Sequence, residues 1–346
     1  MNAVTPDPAF AGDERAAPTV AATVAAAAAA ARVPAVSVVI PLFNKERDIG
    51  RAIDSVLAQA WSDFELVVVD DGSSDGCAAV VAAYDDPRLR MERQANAGVS
   101  AARNRGVALS RAPWVAFLDA DDAWTPSFLG DVLALAARHP EAAGVALNYE
   151  IVSPGGARAL GVDPADAPAQ LLDPLAYFRI GRHAPPLSSS SVVVRREALL
   201  AAGGFPVGVR LGEDIDTWLR LLFRGGVYFD PRPGAQYFAD ASNRALNTHA
   251  PPARYAFFDT IEGWLAAHPE RVEERREAEE FMNFFRLLHA RHQIRWGDAE
   301  AGRRLLAEIR TTVHRGEKRR LQVLSRLPRP CYDGLARLKR KLLSLG

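Results

Sequence analysis

Short apolar runs, rich in β-branched and aromatic residues, recur along the chain from Val36 to Phe229, and stretches of helical spacing separate most of them. Val36-Ser37-Val38-Val39-Ile40-Pro41 predicts a first buried strand stopped by its proline, with Asn44-Lys45-Glu46 as the loop behind it. Residues 47–59 predict a helix that carries Ile49, Ile53, Val56 and Leu57 on one face. Glu65 to Asp70 predicts a second buried strand, which runs into Asp70-Asp71-Gly72-Ser73-Ser74-Asp75-Gly76, dense in turn and helix-capping residues. A helix over 77–84, a short strand near 89–92 and a helix over 99–109, opened by Asn96-Ala97-Gly98, come next. Trp114-Val115-Ala116-Phe117-Leu118 is again a buried strand and ends on Asp119-Ala120-Asp121-Asp122. A helix over 126–137, with Asp122 as its expected cap, and a strand over 143–151 close this part.

Strands alternating with helices predict a mostly parallel sheet covered on both faces. Right-handed crossovers then bring the loops 41–46, 70–76 and 119–122 to one edge, the edge where open α/β sheets bind ligands. Two carboxylates at i and i+2 behind a strand can turn toward one hard cation and its phosphate oxygens. Taken alone, Asp119-Ala120-Asp121 reads equally as an Asx-rich turn.

Residues 153–186 are rich in Pro, Gly and Ala and predict a partly ordered excursion with a helix around 171–180. A strand over 188–195, led in by four serines, and a short helix over 198–202 follow. Gly212-Glu213-Asp214-Ile215-Asp216 opens a helix whose apolar body is Trp218, Leu219, Leu221 and Leu222; acidic residues at such a start complement the helix dipole. Val227–Phe229 predicts a last short strand, and residues 255–346 are helical in pattern.

The chain has 346 residues, enough for one large or two modest domains. Its 42 Lys and Arg balance 42 Asp and Glu, which gives no sign of a polyanionic partner such as nucleic acid. Cys77 and Cys331 have neither metal-ligand spacing nor a disulfide framework, so a reducing compartment, the cytoplasm, is expected. Residues 1–34 are Ala- and Pro-rich, and their run from Val20 to Ala31 is too short and too weakly apolar to span a membrane; a disordered or marginally helical tail is expected there. Residues 315–346 hold ten Lys and Arg against two Asp and Glu, with Leu321, Leu324, Leu335, Leu338, Leu342 and Leu343 among them. Such a basic amphipathic end can touch the anionic inner membrane peripherally, or pack as a solvated helical hairpin.

Five motifs occur in order: Val38-Val39-Ile40-Pro41-Leu42-Phe43-Asn44; Val67-Val68-Val69-Asp70-Asp71-Gly72-Ser73-Ser74-Asp75; Asn96-Ala97-Gly98 with Ala102-Arg103-Asn104; Phe117-Leu118-Asp119-Ala120-Asp121-Asp122; and Gly212-Glu213-Asp214 with Trp218-Leu219-Arg220-Leu221. Together they resemble the family 2 glycosyltransferases with the GT-A fold, over roughly residues 35–240. The resemblance implies an α/β GT-A domain at 35–250, followed by a helical, basic extension at 251–346. It also implies an inverting enzyme that moves a sugar from a nucleotide-diphosphate sugar to an acceptor hydroxyl, with Mn²⁺ or Mg²⁺, in the synthesis of a surface glycan or glycoconjugate. The acceptor would be a glycan or a lipid-linked molecule.

By motif match, Pro41, Phe43, Asn44 and Glu46 would line the base and ribose pocket. Asp70, with Asp71 beside it, would accept from the imide of a uracil or thymine, and Gly98 and Arg103 lie where the family contacts the nucleotide. Asp119 would sit by ribose and metal, next to Ala120, and Asp121 would ligate the cation. Asp214 matches the family's catalytic base, with Glu213 as second choice, and His249 is a candidate third metal ligand. Processive members carry Gln-x-x-Arg-Trp; Gln293-Ile294-Arg295-Trp296 is one residue short of it, which favours a single transfer per encounter. An inactive glycosyltransferase-like binding domain and a sugar nucleotidyltransferase are the competing readings. The complete acidic set argues against the first, and the lack of a Gly-rich phosphate loop after the first strand argues against the second.

Overall fold

The computed structural model describes residues 33–153, 158–165, 167–241 and 249–327. The expectations for 1–32 and for 328–346, Cys331 included, lie outside the described residues.

Four parallel strands form one half of the sheet: β1 (Val36–Leu42), β2 (Phe64–Asp70), β3 (Leu89–Arg93) and β4 (Trp114–Phe117), in the order β3-β2-β1-β4. Helices α1 (Ile49–Leu57), α2 (Cys77–Ala82) and α3 (Val99–Leu109) connect them. Every residue of β1 and β2 is buried, because helices cover both faces, and this is why those strands read as continuous apolar runs. On one face Ile40, Leu66 and Val68 pack with Ile49, Ile53 and Val56 of α1 and with Leu129 and Val132 of α4 (Phe128–Arg138). On the other face Val39 and Phe117 pack with Val107 of α3.

β5 is Ala123–Trp124 and β6 is Gly144–Val152. β6 does not lie beside β4, since β9 (Val192–Arg195) runs antiparallel between them. The strand expected at 227–229 is much longer: β10 spans Val227–Phe238, parallel to β6, and absorbs Pro231, Pro233 and Gly234 through two register shifts. β5 pairs antiparallel with β10 at the far edge. Two short strands lie off this path, β7 (Arg158–Leu160) on β6 and β8 (Gln170–Leu172) on β10. The helix expected at 171–180 is α5 (Pro174–Gly181), displaced by β8 and started by Asp173, whose side chain accepts from Ala176 N with proline in the first turn.

Helices α6 (Arg196–Ala201) and α7 (Glu213–Gly225) follow. The C-terminal helices α8 (Ala256–Ala267) and α9 (Val272–Trp296) join the same apolar cluster: Phe257, Ile261, Phe281 and Phe285 pack with Trp218 and Leu221 of α7 and Tyr177 of α5. Helices α10 (Ala299–Glu308) and α11 (Arg315–Leu324) close a smaller cluster with Leu287, Ala290 and Ile294 of α9. Gln293-Ile294-Arg295-Trp296 is the last turn of α9, with Ile294 in that cluster. No helix among the described residues is long and apolar enough to cross a membrane.

α3 approaches β1 closely at Gly106, where a methyl group would stand 2.2 Å from Val39 Cγ1. Gly106→Ala is therefore expected to cost about 1–3 kcal/mol, the usual cost of overpacking. A denaturant melt checks it, and wild-type stability would contradict the close approach.

Candidate active site

The parallel order brings the loops after β1, β2 and β4 to one edge, as expected. The first two loops are stitched to each other. Asn44 takes a left-handed backbone (φ 52°), which asparagine tolerates better than most residues. Its N–H donates to Ser73 Oγ (3.1 Å), and its Oδ1 accepts from Ser74 N (2.8 Å). Glu46 N donates to Asp75 Oδ2 (3.0 Å), and the Glu46 carboxylate accepts from Gly76 N (3.2 Å). Two residues expected to line a base pocket are thus engaged in holding the loop pair together. Pro41 is buried in β1, whereas the Phe43 side chain lies open to solvent.

Asp70 is fully buried at the end of β2. Its Oδ1 accepts from Ser73 N (2.9 Å), while its Oδ2 makes no hydrogen bond and has Arg93 Nε at 3.4 Å. A buried carboxylate oxygen in this condition costs free energy unless a donor arrives. Asp71 is fully engaged: it accepts from Gln94 Nε2 (2.8 Å), Ala97 N (3.0 Å) and Gly98 N (2.8 Å), and so fixes the turn that starts α3.

The loop after β4 carries three carboxylates with three different partners. Asp119 accepts from Arg103 Nη2 (2.7 Å) and stays about one-third exposed. Asp121 Oδ2 accepts from Lys45 Nζ (2.7 Å), and the Asp121 carbonyl accepts from Arg51 Nη2 (2.6 Å). Asp122 does not cap the helix, which starts at Phe128 behind Ser127. It is buried and accepts from Ser190 Oγ (2.6 Å), which also takes the Asp119 N–H (3.1 Å). Ser190, whose carbonyl accepts from Trp124 Nε1 (2.6 Å), therefore anchors the loop. Among the four serines read only as a strand lead-in, nothing in the local pattern distinguished it.

Arg103 links this loop to α7. It is almost wholly buried, with Nη2 on Asp119 and Nη1 on Glu213 Oε1 (2.9 Å), so it braces two carboxylates from beneath. Gly212, at φ +80°, starts α7 in a left-handed conformation, and a methyl group there would stand 2.7 Å from Phe257 Cε1 of α8. Glu213 is buried and paired by Arg103. Asp214 lies sunk beside it with part of its surface open, and it accepts from Ile215 N (2.8 Å). Burial first, and then the neighbouring Glu213 carboxylate, pushes the Asp214 carboxyl up to about 7, against the pull of Arg103. Burial, and next the Asp214 charge, also pushes the Tyr149 hydroxyl up to about 12 and raises that of Tyr177.

Such a carboxyl can take or give a proton near neutrality, whereas Glu213 is tied to its guanidinium. Among the described residues, no three His, Cys, Asp or Glu side chains are grouped to hold a metal. His249 lies in a surface recess with Arg210, Leu211, Pro252 and Arg254. Asp119 and Asp121 nonetheless fit a hard divalent cation of the kind that takes one or two carboxylates and draws its remaining ligands from phosphate and water. Each carboxylate now has a cationic partner, Arg103 on Asp119 and Lys45 on Asp121, with which such a cation would share or compete for the oxygens.

A sequence model described as glycosyl transferase family 2 matches residues 37–200. The chain is 40% identical over 129 residues to the succinoglycan biosynthesis protein ExoO of Rhizobium meliloti, covering 36% of each protein. It is 34% identical over 203 residues to ExoU of the same organism, covering 56% of this chain and 58% of that one. It is 37% identical over 102 residues to the uncharacterized glycosyltransferase YibD of Escherichia coli, covering 29% of this chain and 30% of that one. In each case the chain spans less than two thirds of the relative's own length. Among solved structures it is similar to S. aureus TarS 1-349 in complex with UDP-GlcNAc, with a TM-score of 0.62 at 18% identity, covering 84% of this chain and 88% of that one. That likeness establishes the fold, a GT-A glycosyltransferase sheet with flanking helices and helices at the C-terminal end. Residues 37–200 thus resemble glycosyl transferase family 2, and the relatives that match carry glycosyltransferase or succinoglycan biosynthesis names.

Proposed function

We propose that the protein is an inverting glycosyltransferase that moves a sugar from a nucleoside-diphosphate sugar to an acceptor hydroxyl in surface glycan synthesis. The observation that carries this reading is Asp214: a carboxyl with its pKa near 7, at the start of α7, joined through Glu213 and Arg103 to the Asp119 loop. A general base works best with its pKa near the operating pH. Asp214 takes the proton from the acceptor hydroxyl as that oxygen attacks the anomeric carbon, and one base with in-line attack inverts the centre.

The nucleotide lies across the loops after β1 and β2. Asp70 Oδ2, buried without a hydrogen bond, accepts the imide N–H of a uracil, and this satisfies an otherwise unmet acceptor. Phe43, exposed beside it, offers an aromatic face to the base. TarS, whose structure holds UDP-GlcNAc, makes a uridine nucleotide the first donor class to test. Asp119 and Asp121 would hold a Mn²⁺ or Mg²⁺, which when bound neutralises charge on the diphosphate leaving group. Arg103 keeps Asp119 and Glu213 in place but is too deeply buried to serve as a nucleotide contact of its own.

The acceptor is a glycan or lipid-linked molecule, in keeping with the succinoglycan biosynthesis names of ExoO and ExoU. Arg315, Arg319 and Arg320, exposed on α11, give the C-terminal end a basic face for peripheral contact with the inner membrane. Incubation with a panel of nucleoside-diphosphate sugars and Mn²⁺ tests the reading. Release of a nucleoside diphosphate that depends on acceptor supports it. Release of pyrophosphate would point to nucleotidyl transfer, and binding without turnover to an inactive homologue.

A further inference from the structure

The two carboxylates of the Asp119-Ala120-Asp121 loop are compensated in different ways. Asp119 faces a fixed charge, since the Arg103 guanidinium is buried and tied at its other end to Glu213. Asp121 faces Lys45, whose ammonium stands 2.7 Å from Oδ2. The two side chains keep only 11% and 15% of their surface exposed, so this is no loose surface pair. The backbone that carries Lys45 is held on both sides: Asn44 is bonded to Ser73 and Ser74, and Glu46 N to Asp75. The backbone of Asp121 is held by Arg51, which stacks on Phe238 with its guanidinium carbon 3.8 Å from the ring centroid. Between these two anchored stretches, the adjustable part is the lysine side chain, a compact point charge on a flexible four-carbon stem.

We propose, on the sugar-nucleotide reading above, that Lys45 is a tethered counter-ion that occupies the cation's place on Asp121 until a divalent ion arrives with the sugar nucleotide. An ammonium in hydrogen-bond contact with Oδ2 and a metal ligated by the same carboxylate compete for one position. A cation arriving alone must displace Lys45 from Asp121 and brings the ammonium no new anionic partner. A cation arriving with a diphosphate supplies that partner, because the displaced ammonium then turns to phosphate oxygens. Lys45 thereby makes cation and nucleotide bind cooperatively, and such coupling is reciprocal. It keeps the acidic loop neutralised between turnovers and makes the cation wait for the nucleotide.

The test is titration of the full chain with Mn²⁺, following the electron paramagnetic resonance signal of the free ion, with and without UDP. Lys45→Met removes the charge at similar length. Without UDP it is expected to bind Mn²⁺ on the order of tenfold more tightly than wild type, within the usual range of coupling between sites. With UDP the wild type gains affinity for Mn²⁺ and the variant gains less. Lys45→Arg keeps the charge and is expected to bind free Mn²⁺ no more tightly than wild type, which separates lost compensation from a disturbed loop. Equal or weaker Mn²⁺ binding by Lys45→Met without UDP overturns the counter-ion role and leaves the cation site standing. Absence of Mn²⁺ binding in every protein, with UDP present, overturns the cation site and the counter-ion together.

Discussion

Asp214→Asn is expected to lower kcat for sugar transfer by roughly a hundred- to ten-thousand-fold, the usual share of a general base, while nucleotide binding is retained. Asparagine keeps the shape of the side chain and can still accept from Ile215 N, so what disappears is the ability to take a proton. Stability separates this loss from misfolding. The native carboxyl holds its proton up to about 7, whereas the unfolded one gives it up near 3.8. Between those values the folded state binds more protons than the unfolded state, so stability falls as pH rises through that window. The substituted asparagine carries no such penalty. The variant should therefore melt higher than wild type at pH 8, and the gain should vanish toward pH 4. A variant that melts lower at pH 8 would mean that the Asp214 carboxylate is stabilised by partners that the structure does not give it. Loss of activity without loss of fold assigns the residue to chemistry; near-normal kcat removes it from that role.

Arg103→Met is expected to carry the largest stability cost. One guanidinium holds Asp119 and Glu213, and its charge also restrains Asp214. Methionine fills much of the volume and leaves these carboxylates, of which Glu213 is buried, without their shared positive charge. Breaking a buried ion pair by removing one partner costs about 3–5 kcal/mol. The cost should be greatest at pH 8, where Asp214 has given up its proton. It should shrink at acidic pH, where Asp214 takes a proton more readily still without Arg103. Arg103→Lys keeps one charge but loses the two-ended reach of the guanidinium, so it should fall between the two. Thermal melts at two pH values decide this. Wild-type stability at both would show that the cluster is not held by this residue.

The strands of the first half were legible because each is buried on both faces, so burial was written as a continuous apolar run. The placement of the loops after β1, β2 and β4 followed from parallel order and crossover handedness, and needed no long-range information. β9 was harder: its sequence marked it as a strand, but its insertion antiparallel between β4 and β6 rests on pairing between distant segments. β10 was cut short in the reading because Pro231, Pro233 and Gly234 are strand breakers, and the register shifts that accommodate them have no local signature.

At the site, the acidic residues were found by motif, but their partners were not. Asn44 and Glu46 carry the residue types of a ligand pocket, and nothing local showed that they also bond to the loop at 73–76. Asp122 follows Asp121 without a break in pattern, and only the arrival of Ser190 from 68 positions away gives it a different task. Lys45 and Arg51 passed as ordinary loop and helix cations, since nothing local joins them to residues 70 or more positions further on. The α8 side chain that forces glycine at 212 belongs to the C-terminal helices, which the family resemblance does not cover.

The measurement that bears most directly on Asp214 as the base is the pH dependence of kcat/KM between about pH 5.5 and 8.5, with the sugar nucleotide that the panel identifies. A base must be ionised to accept a proton, and this carboxyl gives up its own at about 7. The rate should rise with unit slope through about pH 7 and level off above it, and residual activity of Asp214→Asn should lack that rise. A wild-type profile that is flat across the range, or the same rise persisting in Asp214→Asn, would contradict Asp214 as the group that takes the acceptor's proton.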